Sequence, residues 1–423
     1  MRFMPDHLIY AIDEEHYNTY RLEIMMNEPI IGEALVRAAA IVQKRFPYFS
    51  LRSVKENEEY YYEHNELPFV VVNSERPVRL NSEESNYHML ALAYYDDKIW
   101  FDSSHYLTDG NGSVPFLKML IYNYLHILHP DAEFDMDGIP KADDVISEQE
   151  MTDKPYPEEP LDIEPIKKIE HLKGVFTAYD GITGYSDMDK WTSFRITLPQ
   201  KETMKYASSV DGSPATFISS LVYRALSDLN PDNHKPLVCG MQHQLRKVLR
   251  NAFSHSSHVN IVPINYKDNV RGWDIERLNT LGRGSLILGA DNGNDALTVN
   301  AHILNSQKIR SMTLKEKHKY IKKTVVAAIG ENTFEVSYTG RVEWSGLDRF
   351  LKHVTPYLDL SLSGGISVEI FSRDEYFDIN IMQRDDDDKY IKYILKLLDE
   401  IELEYHIDEP VHFEIPAISG FQS

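Results

Sequence analysis

A histidine followed four residues later by Asp-Gly is the pattern in this sequence with the clearest chemical use. His105, Asp109 and Gly110 form the pattern HxxxDG. An imidazole is the side chain best matched to proton transfer near neutral pH, and a glycine after an aspartate suits a tight turn. The residues predict a general base, His105, in a turn shaped by Asp109 and Gly110. A structural or surface histidine is the alternative that they leave open.

The elements on either side of this pattern must position the imidazole. Ile99 to Ser103 is rich in β-favouring residues and predicts a strand, and residues 109–112 are turn formers. Ser113 is the expected N-cap of a helix. The apolar positions of that helix recur with a period near 3.6: Phe116, Leu117, Leu120, Ile121, Tyr124 and Leu125. A turn fixed at both ends in this way can hold His105 near a productive geometry.

The segment from Ile99 to Leu125 resembles the signature of the chloramphenicol acetyltransferase-like superfamily. That group includes plant-type and bacterial alcohol acyltransferases and the condensation domains of non-ribosomal peptide synthetases. Condensation domains usually carry HHxxxDG, and Ser104 takes the place of the first histidine here. The DFGWG motif of the plant enzymes is absent from the sequence. The resemblance implies an α/β fold of two similar lobes, each a mostly antiparallel sheet packed with helices, with His105 in a tunnel between them.

Composition describes an ordinary globular chain with an acidic balance. The 423 residues are 42% hydrophobic and 26% charged, with a formal net charge of −22. Such a charge argues against a nucleic-acid partner, which calls for a basic surface. No apolar run approaches the roughly 18 residues that span a bilayer, and the N-terminus lacks a signal-peptide pattern. We therefore expect no membrane span and a cytoplasmic location.

Metal and disulfide chemistry find little support in the sequence. Cys239 is the single cysteine and lies in an apolar, strand-like run, so we expect a buried, inert thiol. His255 and His258 have a spacing that could ligate a metal ion, but no third ligand of matching spacing is evident nearby. They are interpreted as polar loop histidines, and no metal site is expected.

Two halves joined by an acidic segment are the expected organisation. The first half, residues 1–168, carries HxxxDG and ends in a proline-rich acidic linker at about 130–168. An acidic recognition segment is the alternative for that stretch. The second half, residues 169–423, shows a helix capped by Ser213-Pro214, a strand at 237–242 and a closing helix at about 389–403. Periodicity thus supports an α/β mixture in both halves.

Further site residues follow from the resemblance alone. Arg246 falls where the family carries an arginine that pairs with the motif aspartate, which implies a structural role for Asp109. Many members also have a Val-Ser-Asn-x-Gly stretch facing the active site, and this chain has Tyr338 at the asparagine position. Ser337, Tyr338 and Thr339 are therefore the candidate donors to a tetrahedral oxyanion.

A basic run is the candidate docking site for a nucleotide phosphate. Residues 308–323 contain seven Lys or Arg and one acid, and a capping-box pattern at Thr313 and Glu316 predicts a helix from 314 to about 328. The candidate cofactor-binding residues on it are Lys315, Lys319 and Lys322. The alternatives are a basic solvated face, or a second cluster formed by Arg246, Lys247 and Arg250.

Three functions remain open from the sequence. The leading prediction is an acyltransferase that moves an acyl group from acyl-CoA, used as a co-substrate with no permanently bound cofactor, to a hydroxyl or amine of a small-molecule acceptor. The second is a condensation-type enzyme whose acyl donor sits on a carrier protein. The third is a catalytically silent binding module, which Tyr338 in place of asparagine favours.

Overall fold

A computed structural model describes residues 2–151, 155–179, 190–329, 331–340, 342–361, 363–373 and 375–421. The described residues form α-helices, short 3-10 helices and three β-sheets. None of the helices in these ranges is both long and apolar enough to cross a bilayer.

The helices and strands are numbered in chain order. The helices are α1 (Gly32–Arg45), α2 (Gly110–Leu128), α3 (Gln200–Ser209), α4 (Pro214–Leu229), α5 (Ile275–Gly289), α6 (Asn292–Ile309), α7 (Leu314–Ile329) and α8 (Lys389–Glu400). The strands are β1 (Arg2–Phe3), β2 (Thr19–Met26), β3 (Leu51–Glu56), β4 (Glu59–His64), β5 (Val71–Asn73), β6 (Leu90–Tyr95), β7 (Lys98–Ser104), β8 (Thr192–Pro199), β9 (Leu237–Gln244), β10 (Val259–Tyr266), β11 (Phe334–Tyr338), β12 (Leu351–Leu358), β13 (Ile366–Ser372), β14 (Tyr376–Gln383), β15 (His406–Ile407) and β16 (Val411–His412).

The first lobe is built on a five-stranded sheet with the order β12-β2-β7-β6-β5. Helices α1 and α2 share one apolar core with it. Four apolar residues on the inner face of α1 are buried: Leu35, Ala38, Ala39 and Val42. Asn27 and Pro29 are typical of a helix start, yet the helix begins only at Gly32, because the Ile30 N–H donates to the Asp96 carbonyl at the turn between β6 and β7. A small sheet of β1, β4 and β3 flanks this lobe.

The second lobe is built on an eight-stranded sheet with the order β10-β9-β11-β13-β14-β8-β15, with β16 also paired to β8. Strand β11 runs parallel to both β9 and β13, and the other pairs are antiparallel. Helix α4 begins with Pro214 behind a capping box of Ser213 and Thr216. The apolar faces of α4 and α8 share one core with this sheet. The predicted α/β fold of two lobes is thus confirmed.

One strand of the second half of the chain lies in the first lobe. Strand β12 pairs antiparallel with β2, so that Val354 stands opposite Ile24. Trp344 and Leu347, which precede it, belong to the first-lobe core. Strand β12 was not predicted from the sequence, because Pro356 interrupts an otherwise β-favouring run. In the structure Pro356 lies within the strand, opposite Leu22. The lobes are therefore interlocked, and the division of the chain into 1–168 and 169–423 stays a prediction.

The described parts of the acidic segment 130–168 contain neither helix nor strand and are largely exposed. Hydrogen bonds to both lobes hold them in place, as three examples show. Glu150 accepts from Arg45 at 2.8 Å, the Leu161 N–H donates to Asn300 at 2.7 Å, and the Ile166 N–H donates to Asp291 at 2.9 Å. The segment thus runs from the first lobe to α6 in the second.

Candidate active site

The turn that carries the motif is closed by the start of α2. The helix begins at Gly110, and its N-cap is Asp109, whose Oδ1 accepts the Gly112 N–H at 2.7 Å. The expected cap, Ser113, is wrong: its hydroxyl donates to the Gly110 carbonyl inside the first turn. A carboxylate is the better partner for the unpaired N–H groups and the positive end of the helix.

Asp109 also forms a buried, two-pronged ion pair. Arg246 donates to Oδ1 at 2.8 Å and to Oδ2 at 2.9 Å, and the His258 N–H donates to Oδ2 at 3.0 Å. Burial alone would raise the pKa of Asp109, but the charge and hydrogen bonds of Arg246 hold it below its usual value. Arg246 further donates to the Ser254 and Ser256 carbonyls. Asp109 therefore ties the start of α2 to the loop 254–258.

Glycine is required where α2 meets that loop. A Cβ on Gly112 would lie 2.2 Å from the His255 carbonyl oxygen, so any other residue would force the two segments apart. A Cβ on Gly110 would lie 3.1 Å from Thr339 Cγ2, a tight but milder approach. Gly110, the motif residue, thus adjoins the opposite wall of the site. Sequence reasoning did not assign Gly112 this role.

His105 is held at the end of β7 by its backbone and its ring. Its N–H donates to the Asn18 carbonyl at 2.9 Å, the Tyr20 ring meets the imidazole edge-on at 5.3 Å, and Nδ1 lies 3.3 Å from the Ser257 hydroxyl. Burial lowers the pKa of His105, and the negative charge of Asp109 offsets this only in part. The imidazole is therefore neutral at physiological pH.

Two cavities of about 240 Å³ each meet at His105. The first, the β11 cavity, is lined on the opposite side by residues of the second sheet, including Ser337, Thr339 and Glu369. The second, the N-terminal cavity, is lined by Phe3, Asp6, Tyr156 and His302, among others. His105 and Val259 line both cavities. The imidazole can thus be reached from two sides.

The strand β11 contributes its polar face to the β11 cavity. Side chains alternate along a strand: Phe334 and Val336 lie in the second-lobe core, whereas Ser337 and Thr339 face the cavity. The Tyr338 ring packs against that core and meets the Phe377 ring at 6.0 Å, and Tyr338 also lines the cavity. Thr339 Oγ1 is buried and has no hydrogen-bond partner among the described residues. Of the three candidate donors, Thr339 is thus the one whose buried hydroxyl lacks a partner in the described part of the chain.

Neither a family model nor a curated protein matches this sequence. Solved structures do match. F. graminearum TRI101 complexed with coenzyme A and deoxynivalenol is 12% identical and superposes with a TM-score of 0.62 over 96% of this chain and 99% of that one. TRI3, a trichothecene 15-O-acetyltransferase from Fusarium sporotrichioides, is 11% identical, with a TM-score of 0.60 over 94% of both chains. The first condensation domain of the CDA synthetase is 10% identical, with a TM-score of 0.57 over 94% of both chains.

This chain has the chloramphenicol acetyltransferase-like fold. The resemblance carried by HxxxDG is thereby confirmed at the level of the fold.

Several residues that line the cavity were not predicted from the sequence. Gln242 and Gln244 of β9, Glu369 of β13 and Tyr20 of β2 line the β11 cavity. The available signal was alternation within each strand, but that pattern does not tell which strands become neighbours. Ser257, which contacts the His105 ring, lies in a loop where no sequence pattern indicated a role for it.

The three predicted lysines lie outside both cavities. Lys315 and Lys319 are exposed on α7, and Lys322 pairs with Asp13. A third cavity of about 380 Å³, the outer cavity, shares Asp6 and Tyr156, among others, with the N-terminal cavity. Arg310, from the same basic run, lines this outer cavity. The basic run is therefore beside the far end of the N-terminal cavity.

The other histidines near the site form hydrogen bonds and stacking contacts within the protein. His258 meets the Ser254 hydroxyl at 2.8 Å, and His255 stacks on Tyr48 at 4.4 Å. Burial lowers the pKa of each to about 4. Within the described residues, a different group has suitable atoms for a metal ion: Asp6, His7 and His302 place ligand atoms within 4.8 Å of one another. In this structure Asp6 pairs with both histidines, at 3.3 and 3.4 Å.

Proposed function

We propose that the protein is an acyltransferase that moves an acyl group from a thioester, acyl-CoA in the leading case, to a hydroxyl or amine, with His105 as general base. The observation that carries the proposal is the position of His105, whose neutral imidazole lines two separate cavities. Such an arrangement suits two substrates that approach the base separately. The fold shared with coenzyme A-binding TRI101 supports the choice of a thioester donor.

The chemistry follows from the groups present. Nδ1 of His105 lies against Ser257, so we assign proton transfer to Nε2. Nε2 takes the proton of the acceptor O–H or N–H as that atom attacks the thioester carbonyl. The tetrahedral intermediate then collapses, the C–S bond breaks, and the departing thiolate receives the proton from the imidazolium. A positioned base of this kind contributes roughly 10²–10⁴-fold in rate.

The negative oxygen of that intermediate needs a donor. Thr339 Oγ1 is buried, lacks a partner in the described part of the chain, and follows the strand that faces His105 across the cavity. Its hydroxyl can donate to the oxyanion at the cost of no existing hydrogen bond. The Ser337 hydroxyl is already engaged in a hydrogen bond with the Glu369 carboxyl. Thr339 is therefore the proposed oxyanion donor.

The donor is proposed to enter from the N-terminal side. Coenzyme A carries several phosphates, and Arg310 lines the outer cavity that adjoins the N-terminal cavity. Helix α7, which bears Lys315 and Lys319, is joined to that rim by the Leu314 N–H bond to Glu58 and by Lys317, which pairs with Glu59. These cations suit the nucleotide end of the donor, while its thioester reaches His105.

A carrier-protein donor is the second candidate, because the condensation domain shares the fold over 94% of this chain. Incubation of the purified protein with a panel of acyl-CoAs and small alcohols and amines decides between them. Free thiol, together with an acylated acceptor in the mass spectrum, supports the CoA-dependent reaction. Thiol release only from acyl-pantetheine on a carrier protein supports the second candidate. Release from neither donor contradicts acyl transfer.

A further inference from the structure

One carboxyl group in the wall of the β11 cavity has no role in the chemistry above. Glu369, in the middle of β13, is only 6% exposed, and it lines the cavity. Its Oε1 has no hydrogen-bond partner among the described residues. A buried carboxyl oxygen without a partner is costly. Such an atom in a substrate cavity points to a ligand that supplies the missing partner.

The strands beside Glu369 offer it no cation. Ser337 stands opposite it on β11, and Asn380 stands opposite it on β14. The amide of Asn380 is bonded elsewhere, to Ser193 and to the Pro356 carbonyl. The ionisable group that acts electrostatically on Glu369 is a second buried carboxyl, Glu335 of β11, which accepts from Asn332 at 3.3 Å and does not line the cavity.

The remaining ionisable groups of the cavity are neutral or already paired. Asp109 is matched by Arg246, and His243 lies 3.2 Å from Asp295. No lysine or arginine is among the described residues that line the cavity. Glu369 therefore decides the electrostatic character of this side of the site. In its carboxylate form, Glu369 disfavours an anionic ligand such as coenzyme A and favours a cationic one.

We propose that Glu369 makes the β11 cavity a binding site for an acceptor with a positively charged amine or quaternary ammonium group, separate from the atom that is acylated. The identification of the ligand as the acceptor rests on the proposed function. The cation selectivity of the cavity does not. Glu369 is in this view a specificity-determining residue, since its carboxylate contacts the substrate away from the reacting atoms.

Protonation gives the proposal a second signature. Burial first, and then the charge of Glu335, raises the pKa of Glu369 to about 8, although the Ser337 hydroxyl acts against this. The empty site is thus mostly protonated at neutral pH. A bound cation favours the carboxylate, so binding should release a proton. Affinity for a permanent cation should accordingly fall by about tenfold for each pH unit below the pKa of Glu369.

Calorimetry on the full-length protein tests this inference without turnover. The probes are ω-hydroxyalkyl-trimethylammonium ions and the isosteric alcohols in which a tert-butyl group replaces the ammonium. We expect the wild type to bind the cation at least about tenfold more tightly, with proton release seen as a dependence on the buffer. Glu369→Gln, which keeps the shape, should remove both effects. Glu335→Gln, a matched change outside the cavity, should keep the preference.

Three results would overturn the inference: equal binding of both probes, an unchanged preference in Glu369→Gln, or binding of neither probe at any chain length. The outcome is separate from that of the proposed function. A protein that prefers the cation through Glu369 but releases no thiol from any acyl donor would contradict acyl transfer and leave the cation site standing.

Discussion

The two walls that face each other across His105 are built in opposite ways. The motif residues of the first-lobe wall lie on one continuous segment, 105–112, and the Asp109 carboxylate is saturated by Arg246, Gly112 and His258. The second-lobe wall comes from β9, β11 and β13, and two of its buried oxygens, Thr339 Oγ1 and Glu369 Oε1, lack partners in the described structure. The first wall is therefore suited to positioning a base, and the second to receiving substrate.

The largest effect on stability is expected at the saturated wall. Asp109→Ala leaves the Arg246 guanidinium buried without its carboxylate, which should cost about 3–5 kcal/mol in the free energy of unfolding. Activity should fall as well, because the turn that carries His105 loosens. Urea denaturation monitored by circular dichroism measures the loss. Arg246→Ala should add little once Asp109 is gone.

An exposed ion pair provides the control for this change. Lys267 and Glu170 are each about half exposed, and Glu170→Ala should cost no more than about 1 kcal/mol. If Asp109→Ala were as stable as Glu170→Ala and yet inactive, Asp109 would have to act in the chemistry itself, and the difference between the walls would disappear.

At the open wall the expected loss is one of rate. Thr339→Val keeps the shape of the side chain but removes the hydroxyl, and kcat should fall by about 10²–10³-fold. The melting temperature should change little, because that hydroxyl has no partner in the described structure. Steady-state kinetics with the best acyl donor measures the effect. A Thr339→Val enzyme of unchanged kcat would remove Thr339 from the oxyanion site.

A smaller effect is expected beyond the N-terminal cavity. Replacing Lys315 and Lys319 together by Glu should raise KM for acyl-CoA by roughly tenfold and leave kcat nearly intact, since these cations would contact only the nucleotide end of the donor. The matched control is the double charge reversal of Lys392 and Lys396 on α8, both exposed. An equal KM in the two variants would move the phosphate site away from α7.

The residues of the first wall could be predicted from the sequence far better than those of the second. His105, Asp109 and Gly110 are contiguous, so turn chemistry and helix capping act between neighbours and leave a readable pattern. Local pattern still predicts the wrong N-cap for α2, Ser113, because a serine before an apolar run is as good a capping signal as an aspartate. Asp109 is the N-cap because its carboxylate is neutralised by Arg246, which is 137 residues away in the sequence.

The second wall depends on strand order, which no local pattern encodes. Ser337 faces Glu369 only because β11 lies parallel to β13, and the same alternation separates Thr339 from Tyr338. The resemblance singled out Tyr338, whose ring packs in part against the core while the residue also lines the cavity. Strand β12, whose sequence pattern is interrupted by Pro356, depends on such pairing as well, since its partner β2 lies in the other half of the chain.

Thiol release by a His105→Ala variant tests the central claim most directly. The imidazole contacts Ser257 and Tyr20 but takes no part in the Asp109–Arg246 pair, so its removal should leave the melting temperature close to that of the wild type. With the best acyl-CoA and acceptor, kcat should fall by roughly 10²-fold or more. A folded His105→Ala protein that turns over acyl-CoA as fast as the wild type would contradict the assignment of His105 as the general base.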